Sequence, residues 1–258
     1  MILAYRGSQI FYTDKGSGPV TILLHGFLEN HKMWNDITVG LEKNNRFIAV
    51  DLPGHGNSSV LSGENTMKAI AEALYFLLIK LGVDKVNLAG HSMGGYVALA
   101  FAKAYPLKTK GVFLFNSTPE ADTAERKKLR KHGAEVAKKN YEALISMSVA
   151  NLFSQKSRQR FAEAIEYTKE EALKTPLEGY IAGQLGMMQR EDLSSFWADG
   201  KFKRAMLLGS DDTLLNAQRL KNLFSVTGVK IIIVDGGHMS QIENIVECKN
   251  SFSDFLSY

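Results

Sequence analysis

The chain is poor in the residues that would give it a covalent or metal-built scaffold. Of 258 residues only one is cysteine, Cys248, which excludes an intrachain disulfide and a cysteine-ligated metal cluster. Five prolines are too few for a proline-rich spacer. Neither sign of charge dominates, since 31 Lys+Arg stand against 27 Asp+Glu for a net charge of +4. Over a chain of this size that is a weak field, and with no basic motif to focus it, no nucleic-acid partner is expected. No apolar run approaches the ~18 residues of a membrane span, so no membrane partner is expected either. Met1–Lys15 lacks the apolar stretch of about 7–15 residues that marks a secretion signal, and the expectation is a soluble, cytoplasmic protein. What is present is ordinary globular material, 45% hydrophobic and 22% charged. The length suits one large α/β unit, or a core carrying an insertion.

Short apolar runs ending in Gly, Asp or Ser alternate with longer helical patterns. Leu3-Ala4-Tyr5 and Ile10–Thr13 flank Gly7-Ser8 as a small hairpin. Val20–Leu24, Phe47–Val50 with Asp51, Lys85–Ala89, Gly111–Phe115, Ala205–Leu208 and Lys230–Val234 read as strands. Between them, residues 66–81 carry apolar positions at helical spacing and stop at Gly82; further helices are expected from Ser92 to about Tyr105, around Ala217–Phe224, and from about Gln241 onward. Strand–helix–strand alternation predicts an α/β fold with a mostly parallel central sheet flanked by helices, because parallel strands need crossovers. Residues 119–202 break the rhythm, being helical throughout. The expected organisation is therefore a core of 1–118 and 203–258 with an all-helical insertion at 119–202, after the sixth strand.

The sharpest chemical signal is Gly90-His91-Ser92-Met93-Gly94, a G-x-S-x-G between a strand and a helix. A turn that tight strains the backbone of its serine and requires small neighbours. Ser92 is thereby presented at the carboxyl end of the strand, beside a helix N-terminus. A serine hydroxyl needs a base to take its proton. Of six histidines, His238 follows a strand and the turn Asp235-Gly236-Gly237, which hangs it over the same edge. His91 lies inside the elbow and points away from its neighbour's hydroxyl. An acid must orient the imidazole, and Gly209-Ser210-Asp211-Asp212 ends the preceding strand. Asp212 reaches further over the edge than Asp211 and is the preferred candidate. Two N–H groups are candidate oxyanion donors, that of Met93 after the nucleophile and that of Phe27 in His25-Gly26-Phe27.

These motifs, together with Asp51-Leu52-Pro53-Gly54-His55-Gly56-Asn57-Ser58, resemble the α/β-hydrolase fold superfamily in order and approximate spacing across nearly the whole chain. The order Ser92…Asp212…His238 is the one that superfamily uses. The resemblance implies a helical cap at 119–202, a small-molecule substrate, and no cofactor or metal. A serine nucleophile implies an acyl-enzyme route on an ester-like bond, as in a carboxylesterase. C–C bond hydrolysis, thioester cleavage, a lyase reaction and a ligand-binding receptor remain open on the same scaffold. Trp34, Met187 and Met188 are expected to line an apolar substrate pocket with Phe27. Arg126-Lys127-Lys128-Leu129-Arg130-Lys131, with acids around it, reads as a solvated helix face, with recognition of an anionic substrate or of a carrier as the alternative.

Overall fold

The computed structural model describes residues 1–62 and 65–257. Its centre is an eight-stranded sheet. The strands are β1 (Ile2–Tyr5), β2 (Ser8–Gly16), β3 (Val20–Leu24), β4 (Arg46–Val50), β5 (Val86–His91), β6 (Thr109–Phe115), β7 (Lys203–Gly209) and β8 (Lys230–Val234). Their spatial order is β1-β2-β4-β3-β5-β6-β7-β8. β1 and β2 pair antiparallel, as does β2 with β4; every later pairing is parallel.

The inner parallel strands are apolar along most of their length because both of their faces are covered. Successive residues go to opposite sides. Ile22, Leu24, Ile48, Val50, Leu88, Leu114 and Leu208 join one core cluster, whereas Leu23, Ala49, Ala89, Phe113, Phe115 and Leu207 join another. Helices α2 (Met67–Lys80), α3 (Met93–Ala104) and α9 (Ala217–Phe224) cover the first side, while α1 (Asn35–Thr38) and α11 (Ile245–Leu256) cover the second. The start of α2 is set by Thr66, whose hydroxyl accepts from the Ala69 N–H at 3.1 Å, and its end by Gly82 at φ 64°. The final helical stretch divides into α10 (Ser240–Glu243) and α11, a break the apolar spacing did not reveal.

From β6 to β7 the chain passes through α4 (Ala124–Ala137), α5 (Tyr141–Ala150), α6 (Ala162–Leu173), α7 (Leu177–Met188) and α8 (Ser194–Asp199). Ala137, Ile145, Val149, Phe153, Ile165, Ala172 and Tyr180 form an apolar cluster closed by Leu28 and Met239 from sheet-edge loops. The last part of this segment turns back into the main core, where Met187, Leu193 and Trp197 are buried.

Register brings the carboxyl ends of the strands to one rim. Leu24 pairs with Gly90, His91 with Phe115, Phe115 with Leu207, and Gly209 with Val234. The loops after β3, β5, β6, β7 and β8 therefore all emerge along the same edge, where open α/β sheets bind ligands. The β5–α3 turn lies so close to β3 that a Cβ on Gly94 would sit 2.2 Å from the Leu24 carbonyl oxygen. Gly94→Ala is expected to destabilise the fold by about 3 kcal/mol or more, measurable by denaturant titration, because backbone on both sides cannot yield.

Candidate active site

Ser92 occupies the turn between β5 and α3 with φ 48° and ψ −114°, a conformation disfavoured for any residue with a Cβ. The strain is held by neighbours that leave no alternative. Ser92 N–H donates to Phe115 O at 2.9 Å, and Ser117 Oγ donates to Ser92 O at 2.8 Å. A Cβ on Gly90 would meet the Gly94 backbone at 2.3 Å, so the elbow closes only with glycine there. Met93 is the first residue of α3, where amide donors have no intrahelical acceptor.

His238 follows β8, and its Nδ1 lies 2.7 Å from Asp212 Oδ2 with both side chains nearly inaccessible. A carboxylate only accepts, so Nδ1 carries the proton and Nε2 keeps its lone pair. Asp212 is held in turn by the N–H groups of Leu214 and Leu215, which donate to its Oδ1 at 2.8 and 3.1 Å. The neighbouring Asp211 faces the other way. It accepts from Ser154 Oγ at 3.0 Å and Lys156 Nζ at 3.1 Å, tying the α5–α6 loop to the sheet edge. His238 N–H also donates to Leu152 O at 2.8 Å, a second tie to that loop.

Behind these groups lies a buried polar layer that sequence reasoning missed. Asn116, at φ 41°, is wholly buried beyond β6. Its Oδ1 accepts from Gly209 N–H at 2.7 Å and its Nδ2 donates to His238 O at 2.8 Å, joining the loop ends that carry Asp212 and His238. His91 donates from Nε2 to the same His238 carbonyl at 3.0 Å and pairs through Nδ1 with Glu29 Oε2 at 2.7 Å. The same Glu29 oxygen accepts from Gly26 N–H at 2.5 Å, and Oε1 accepts from Gln241 Nε2 at 3.1 Å. Both His91 nitrogens face acceptors, which requires an imidazolium. Burial opposes that charge, but the Glu29 carboxylate outweighs it and raises the His91 pKa, while His91 holds Glu29 below its ordinary value against the same burial. His25 takes the opposite state. Its Nδ1 donates to Gly26 O at 2.7 Å, its Nε2 accepts from Leu52 N–H at 2.8 Å, and burial lowers its pKa. A polar residue just past a strand end was the only clue to Asn116, and nothing local marked Glu29.

Removing one partner of a buried pair leaves the other charge uncompensated, so Glu29→Ala is expected to cost about 3–5 kcal/mol. The sign of its pH dependence follows from the two shifts. His91 contributes stability below its unfolded value of 6.5 that is lost as pH rises through its elevated folded pKa. Glu29 contributes stability above 4.5 that is lost as pH falls through its depressed folded pKa. The stability gap between the native chain and Glu29→Gln should therefore be widest between pH 4.5 and 6.5, as read by urea titration across that range.

Ser92 and His238 line one cavity of 820 Å³ together with Phe27, Tyr96, Arg126, Tyr180 and Met187. Phe27 packs edge-on against His55 at 5.5 Å and against Tyr180 of α7 at 5.1 Å. His55 is not an alternative base, since burial and nearby His25 push its pKa down to about 3. Two expected pocket residues are elsewhere. Trp34 is buried on the far side of the sheet, its ring 6.0 Å from those of Phe115 and Phe252, because the turn before α1 directs it into the core. Met188 is not in the cavity wall either, since consecutive residues on a helix diverge by about 100° and Met187 takes the inward position. The basic run also divides. Lys127, Lys128 and Lys131 are exposed, but Arg126 and Arg130, four apart on α4, turn into the cavity.

Comparison with known proteins agrees with this architecture. An esterase from Thermogutta terrifontis superposes with a TM-score of 0.91 at 29% identity, covering 99% of this chain and 96% of that one. The 3-oxoadipate enol-lactonase 1 of Acinetobacter baylyi is 23% identical over 262 residues, 99% of this chain and 96% of that protein. Protein PHYLLO of Arabidopsis thaliana is 34% identical over 125 residues, 45% of this chain but only 7% of that protein. The chain thus spans a small part of some of its curated relatives. Residues 19–245 match the model of the alpha/beta hydrolase fold family, and the chain belongs to that family.

Proposed function

We propose that this chain is a serine hydrolase that needs no cofactor and cleaves an ester-like bond, an ester or a lactone, in a small-molecule substrate. The observation that carries the reading is the strained Ser92 sharing a cavity with a histidine whose Nδ1 is already engaged by a carboxylate. Ser92 Oγ attacks the carbonyl carbon as its proton passes to His238 Nε2, and the carbonyl π pair moves onto oxygen. The N–H groups of Phe27 and Met93 hold that oxyanion. Collapse expels the alcohol oxygen, which takes the proton from His238, and leaves an acyl-Ser92 ester. Water, deprotonated by His238, repeats the sequence and releases the acid. Asp212 keeps the imidazole in the productive tautomer and stabilises its cation. The helical segment from α4 to α8 acts as the cap over this site.

Esterase and lactonase are the activities that the names of two relatives matched over nearly their full length describe, and the proposed acyl transfer would serve either bond. Treatment with a fluorophosphonate, followed by peptide mass spectrometry, is expected to find the phosphonyl group on Ser92. Labelling confined to other residues would refute the reading.

A further inference from the structure

The cavity is lined by four arginines, Arg126, Arg130 and Arg190 from the inserted segment and Arg219 from α9, against three acids, Glu29, Glu120 and Asp122, of which Glu29 is paired with His91. Three of the arginines are held. Arg130 and Arg190 share the Asp122 carboxylate, the second at 2.7 Å. Arg190 also stacks 4.0 Å over the Tyr96 ring, and Arg219 pairs with Glu120. Arg126 is different. Among the described residues no hydrogen-bond acceptor or carboxylate partners its guanidinium, although it is half-buried. Burial and the neighbouring Arg130 charge push its pKa below the ordinary arginine value, which marks a cation short of compensation. A fork of planar donors in a recess, with the nearby acids already engaged, is matched by a planar anion supplied from outside.

We propose that Arg126 is a carboxylate-binding residue and that the substrates of this site are anionic, a carboxylate docking on Arg126 while the scissile carbonyl lies at Ser92. The proposal rests on the hydrolase reading for the second half of that statement and on the charge arrangement alone for the first. Arg126 and Ser92 line the same 820 Å³ cavity, a volume large enough to hold a short dicarboxylic acid monoester.

Two activated esters of similar length separate the charge from the chain: mono-p-nitrophenyl adipate and p-nitrophenyl heptanoate. Arg126→Met is expected to lower kcat/KM on the adipate ester by about 10–100-fold, chiefly through KM, the loss being at least about tenfold greater than on the heptanoate. Arg126→Lys should recover part of it, because the charge returns without the fork. Equal losses on both esters, or none, would overturn the subsite.

Calorimetric titration with free adipate keeps the test independent of turnover. The native chain should bind it, and Arg126→Met should weaken that binding by about tenfold or more. Adipate binding lost in the variant while neither ester is hydrolysed would uphold the subsite and refute the hydrolase reading. Hydrolysis of both esters with Arg126-independent adipate binding would do the reverse. Inorganic phosphate binding more tightly than adipate would overturn the choice of carboxylate.

Discussion

Ser92→Ala is expected to lower kcat on an activated ester by about 10⁶-fold while leaving the fold in place. The first part follows from chemistry, since among the described residues no other hydroxyl meets the same combination of strained backbone and shared cavity. The second follows from what holds the elbow. Its hydrogen bonds use the Ser92 N–H and carbonyl, which alanine retains. Burst kinetics would show the loss of acylation, and circular dichroism with denaturant titration would show that the variant is folded. A residual rate of about 10³–10⁴ over water would still be expected from the oxyanion donors and binding alone. A burst of native amplitude in the alanine variant would remove Ser92 from the mechanism.

Asp212→Asn should be the next most damaging change, with kcat falling by about 10⁴-fold. The asparagine can offer its NH₂ to Nδ1, and the imidazole would then carry its proton on Nε2, the nitrogen that must accept from Ser92. The cation that forms during attack would also lose its facing charge. Asp211→Asn provides the contrast. Asp211 meets Ser154 and Lys156 rather than His238, and the Lys156 pair is largely exposed and weak. That variant should change kcat by less than about tenfold. Steady-state kinetics on both variants decides the matter, and a larger loss at Asp211 than at Asp212 would reverse the assignment of the two acids.

Much of this was legible without coordinates because local rules and tertiary need coincide. Parallel strands covered on both faces are apolar along most of their length, so Val20–Leu24, in which only Thr21 is polar, and Gly111–Phe115 stand out as runs. A turn in which Gly94 meets the Leu24 backbone admits glycine, and the pattern around Ser92 records that contact. Strand ends also mark where a loop must emerge, which is why Ser92, Asp212 and His238 could be chosen from distant segments.

Side-chain direction was less accessible. Trp34 was expected in the pocket beside Phe27, but only the three-dimensional path before α1 sends its ring beneath the sheet. Met187 and Met188 are alike in composition, and helix phase at the core contact separates them. Arg126 and Lys127 belong to one basic run, and the docking of α4 on α7 turns the first inward and leaves the second in water.

By itself, then, the order of residues determined the strands, the tight glycine turns and the three side chains at their ends, since those depend on backbone geometry that each segment expresses locally. The buried Glu29–His91 pair, the Asn116 clasp and the uncompensated Arg126 were decided only by the folded whole. Each depends on a partner, or the lack of one, far away along the chain, and hydrogen-bond or charge complementarity across such distances has no signature in any single stretch of sequence.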